Sequence, residues 1–170
     1  MANQSLIRKV GQSVLVDVIA ILFVYFTPNL SQLLHFPVYL LDPMRIMVMI
    51  GLMHSHRTNA VVLAILLPVF SYIISSHPYL IKTSLISIEL LINIFLFLAL
   101  TKKLPIFGAM LLAIVVSKLV YYGLKIVVVK LDWLQMEIIS TPIWIQLIMA
   151  MVFAFYAWLL WPKKTESLPN

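Results

Sequence analysis

Leu66–Asn93 reads LLPVFSYIISSHPYLIKTSLISIELLIN, and its reading decides the fold. An apolar run carrying Pro68 breaks at a polar loop, Ser75-Ser76-His77-Pro78, and a second apolar run follows. Glu89 and Asn93 sit inside that second run. Four residues apart, they lie one turn apart on a single helical face. A carboxylate in an apolar span is costly, so it faces the protein interior or a cavity and takes a partner. The stretch reads as a membrane hairpin with polar side chains turned inwards, the place where a binding site would be built.

The rest of the chain agrees. It is 63% hydrophobic and 11% charged, with a mean hydropathy of +1.06. A soluble domain is roughly half apolar and about a quarter charged. The apolar runs are continuous rather than alternating, which excludes the pattern of a membrane barrel. The expected fold is all-α: a polytopic integral membrane protein, one six-helix transmembrane bundle over residues 1–170. The spans fall at about 12–27, 43–54, 59–75, 83–100, 105–129 and 142–161. Arg8 and Lys9 precede the first apolar run as in a signal peptide. No small-residue cleavage site follows, so the run is expected to stay as the first span.

Pro28-Asn29 is expected to end span one. The loop to Asp42 is amphipathic (Leu30, Leu33, Leu34, Phe36) and is expected to lie in the interface or fold over the bundle. Span two is short against the ~20 residues needed to cross. Asp42 is its capping candidate, with Pro43 in the first turn. Pro68 is expected to kink span three. With six spans both termini share a side. That side holds Arg8, Lys9, Arg57, Lys102, Lys103, Lys163 and Lys164, against Lys82 and Lys130 opposite. The positive-inside rule makes it cytoplasmic, and explains the net charge of +6 without a nucleic-acid partner.

Helix rise sets the expected depths of the polar groups. Glu89 and Asn93 lie about 8 and 14 Å from the outer end of span four. Lys125, Tyr122, Tyr121 and Lys118 lie about 6, 10, 12 and 16 Å down span five. Glu89 then faces Lys125 or Tyr122, and Asn93 faces Lys118 or Tyr121. Two readings stay open: a polar cavity for an organic ligand, or a buried Glu–Lys pair that fixes helix register. Arg45 either binds an anionic ligand group or snorkels to the interface. Asp17, on the inner half of span one, is expected in a structural pairing. Trp144 and Gln146 either line the cavity or, for Trp144, join Trp133, Trp158 and Trp161 in an aromatic belt.

His35 and His77 are loop residues with no third ligand at metal-like spacing, so no metal or other cofactor is expected. There is no cysteine, hence no disulfide, thiolate metal site or cysteine nucleophile. No His–Glu metal helix, Gly-x-Ser-x-Gly or carboxylate pair at helical spacing appears, so an enzyme is not expected. No repeated filter motif suggests a channel.

One family matches the layout. Phe36-Pro37, Asp42-Pro43-Met44, Leu67-Pro68 with Phe70-Ser71, His77-Pro78, Glu89-Leu90 and Ser117-Lys118 fall at similar spacings. Over residues 35–118 the chain resembles the substrate-binding S component of an energy-coupling factor (ECF) vitamin transporter. The resemblance implies a small-molecule solute bound near the outer face. It would sit beneath the loop joining spans one and two and the His77 loop joining spans three and four. It implies a transmembrane coupling protein and two cytoplasmic ATPases as partners, in the bacterial inner membrane. A nucleotide motif would then belong to another subunit, and none is present here. Where many relatives carry Ala-x-x-x-Ala on the first span, this chain has Gly11, Ser13, Ala20 and Val24 without that motif. The competing expectation is a membrane scaffold or assembly protein of the cell-shape type, with no small-molecule ligand.

Overall fold

The structure, a computed structural model, describes residues 2–75, 79–133 and 141–161. The chain is an all-helical membrane bundle. Its helices are α1 (Ala2–Leu33), α2 (Pro43–His54), α3 (Arg57–Ser75), α4 (Leu80–Leu100), α5 (Ile106–Lys130) and α6 (Ile143–Leu160), with one 3-10 turn at Val38–Leu41. Five are long and apolar enough to cross a membrane; α2, with 12 residues, is the shorter one. Large apolar side chains cover the outside of every long helix. The interior holds small ones: Ala60, Ala64, Ala109, Ala113, Ala154 and Ala157 are fully buried. Lipid is as apolar as leucine, so small residues that let backbones approach, rather than the hydrophobic effect, hold such helices together.

Pro28 does not end α1. The helix runs five residues further, to Leu33. The hydroxyl of Thr27 donates to Phe23 O at 2.8 Å and that of Ser31 to Thr27 O at 3.0 Å. These bonds run back to the preceding turn on either side of the proline, and the helix continues through it, as membrane helices allow. Ser31 Oγ also accepts from Val38 N at 3.0 Å, fastening the 3-10 turn to α1. Half-way along α1, Asn59 Nδ2 donates to Asp17 Oδ1 at 2.8 Å, joining the start of α3 to α1. The expected structural pairing of Asp17 is this bond.

Gly51 sets the distance between α2 and α3. A Cβ there would lie 2.7 Å from Leu63 Cδ1, and Leu63 is fully buried. Gly51→Val is therefore expected to cost about 1–3 kcal/mol by overpacking. Thermal unfolding in detergent checks this; Gly51→Ala asks only one leucine methyl to move and should cost less.

Candidate functional site

The polar centre of the bundle is a cluster of four charged side chains: Asp42 ahead of α2, Arg45 on α2, Glu89 on α4 and Lys118 on α5. Arg45, in the first turn of α2, donates to Glu89 Oε1. It also lies 3.4 Å from Asp42 Oδ2. The ammonium of Lys118 lies 3.2 Å from the same Glu89 oxygen and 3.7 Å from the same Asp42 oxygen. Each carboxylate thus bridges both cations, and the formal charges cancel. Arg45 is 1% exposed and Glu89 7%, whereas Lys118 and Asp42 keep 23% and 29% of their side chains accessible.

The contacts fix the depth of α2. Glu89 lies about 13 Å below the start of α4, and Lys118 about 18 Å from the C-terminal end of α5. Both meet the first turn of α2. This helix therefore begins at mid-depth and fills only one half of the bundle, about 18 Å of rise. The 3-10 turn and Asp42 occupy bundle depth above it, where non-helical backbone is tolerated only if protein or a cavity surrounds it.

Asp42 stands at the N-cap of α2 ahead of Pro43, as expected, and corrects the expectation only in its side chain. Its backbone is left-handed (φ 58°) and its side chain makes no capping hydrogen bond. The carboxylate turns to Arg45 and Lys118 instead. Arg45 corrects another: it is buried and paired, and does not snorkel. The expected partners of Glu89 also change, from Lys125 or Tyr122 to Arg45 and Lys118.

Asn93 sits one turn below Glu89 and is 1% exposed. Its Nδ2 and the Nε of Arg45 are buried donors without a hydrogen-bond acceptor among the described residues. Such groups cost about 1–3 kcal/mol unless something accepts from them. Tyr121 and Tyr122 pack edge to face at 5.4 Å, and the Lys125 ammonium lies 5.9 Å from the Tyr121 ring centre. Gln146 Nε2 donates to Tyr122 OH at 2.6 Å and to Thr141 O at 2.7 Å. A cleft of about 140 Å³ between α5 and α6 is lined by Lys118, Tyr122 and Gln146, with Ile114, Leu119 and Leu147 among its apolar walls.

Of the residues expected at the site, Arg45, Glu89 and Lys118 come together directly, with Asn93, Tyr121 and Tyr122 around them. Trp144 is 64% exposed, and no described contact joins it to the cluster. His77 lies outside the described residues. Asp42 is the member that sequence reasoning missed as a site group. Its signal was present: an acidic residue directly ahead of α2 stands three residues from Arg45, within reach of its side chain. Among the described residues no three His, Asp or Glu side chains gather as a metal site. Comparison with known protein families, curated proteins and solved structures finds no match to this chain.

Proposed function

We propose that the chain is a membrane-embedded substrate-binding subunit for uptake of a vitamin or similar small organic solute, driven by a separate ATPase module. The observation that carries this reading is the mid-depth cluster with its two unpartnered buried donors, Arg45 Nε and Asn93 Nδ2. A buried donor without an acceptor is a place for a solute oxygen or nitrogen. Lys118, Tyr122 and Gln146 border a largely apolar cleft between α5 and α6, a place for the apolar part of a solute. The resemblance to ECF S components supports a transmembrane coupling protein and cytoplasmic ATPases as partners. It also supports a place in the bacterial cytoplasmic membrane, with both termini inside.

A thermal-shift screen of the detergent-purified protein against water-soluble vitamins and their precursors tests this. A ligand of the folded state raises stability by about 2.7 kcal/mol at a hundredfold excess over its dissociation constant. Asn93→Ala removes one orphan donor without touching the ion pairs, and is expected to weaken the response. Absence of any response in the wild type would contradict the reading. One observation favours the scaffold alternative: the four charges neutralise one another, so the cluster also serves to fix helix register. That alternative expects no solute to stabilise the protein.

A further inference from the structure

Asp42 differs from the other members of the cluster in every respect that bears on permanence. It belongs to no helix, and its backbone is left-handed (φ 58°). Its contacts, 3.4 and 3.7 Å, are longer than the 3.2 Å contact between Lys118 and Glu89. It is the most exposed of the four side chains. Arg45 and Lys118 therefore form an anion position that Asp42 fills at the longer contact distances of the cluster.

We propose that Asp42 is a placeholder for a carboxylate of the solute: a monocarboxylate entering the site displaces Asp42 from between Arg45 and Lys118. Charge selects the ligand class. A single negative charge replaces a single negative charge, so the cluster stays neutral. A dianion would leave an uncompensated charge in an apolar span, where it is costly. A planar carboxylate also suits a guanidinium as a charge-assisted hydrogen-bond partner. The Asp42 backbone ties the 3-10 turn to α2, its N–H donating to Tyr39 O at 3.3 Å and its carbonyl accepting from Ile46 N at 3.1 Å, so a shift of Asp42 passes to Val38–Leu41. Solute binding is thereby coupled to the segment that covers α2. The inference rests on reading the cluster as a solute site.

The test uses the full-length protein in detergent, with benzoate as probe, benzamide as its uncharged counterpart, and ionic strength held constant. In Asp42→Ala the anion position is open. Benzoate is expected to raise the unfolding midpoint saturably, with a half-maximal concentration at least about tenfold below that of the wild type, since one charge no longer competes for the position. Benzamide should do neither, and adding Lys118→Met should abolish the benzoate response. Asp42→Asn, which keeps the side-chain size, serves as the second variant. Equal responses to benzoate and benzamide, or no response in either variant, would overturn the proposal. So would failure of both variants to fold even when purified in benzoate. A neutral solute that stabilises the wild type while benzoate leaves Asp42→Ala unchanged sinks the placeholder and keeps the uptake reading. Benzoate binding by Asp42→Ala, with no solute for the wild type, does the reverse.

Discussion

Glu89→Gln is expected to lower the stability of the purified protein by about 3 kcal/mol, the usual cost of removing one partner from a buried ion pair. The glutamine fills the same space, so no cavity is made. What changes is charge: Arg45 and Lys118 remain against Asp42 alone, and Arg45 is 1% exposed. The loss should be recovered in part by Lys118→Met in the same chain. That pair of changes leaves Arg45 with Asp42 and restores neutrality. A coupling of at least about 1 kcal/mol between the two substitutions is expected, as for residues of one network. Chemical or thermal unfolding of the four proteins measures it. Additive losses would mean that Glu89 and Lys118 do not share the cluster.

Phe97→Ala is expected to cost as much, about 3–5 kcal/mol, for a different reason. Phe97 is fully buried on α4 and meets the Trp161 ring edge to face at 4.8 Å. Truncation leaves a cavity between the ends of α4 and α6 and removes an aromatic pair. The site lies two turns away, about 12 Å along α4 from Glu89. Stabilisation by a bound solute should therefore survive in Phe97→Ala and be lost in Glu89→Gln. Loss of binding in both would show that binding follows global stability rather than the cluster.

The helical bundle was legible because continuous apolar runs and proline or lysine breaks mark helices one by one. The site was legible only in part, and the reason is α2. Depths counted from span ends assume that each span begins at a membrane face. α2 begins at mid-depth, so Arg45 arrives at the level of Glu89, which no such counting reveals. The ends of α4 and α5 add to the error: α4 starts at Leu80 rather than near Thr83, which lowers Glu89 toward Lys118. Pro28 misled in a similar way. Its missing N–H argues for a stop, while the helix continues through it, with the hydroxyls of Thr27 and Ser31 bonding back on either side. Asp42 carried the composition of a helix cap, but its left-handed backbone turns the carboxylate to two cations instead. Glu89 and Asn93 were found because a polar pair at helical spacing in an apolar run is costly unless it faces the protein interior.

The central claim is that the Asp42–Arg45–Glu89–Lys118 cluster is open to a water-soluble solute. The chain has no cysteine, so a single Lys118→Cys substitution gives one thiol, at a position whose side chain is 23% exposed. The measurement is its labelling in intact membranes by a charged, membrane-impermeant thiol reagent, beside a lipid-soluble one. Labelling by the impermeant reagent is the expected result. Labelling by the lipid-soluble reagent alone, or by neither, would contradict the account and leave the cluster as a structural clamp between helices.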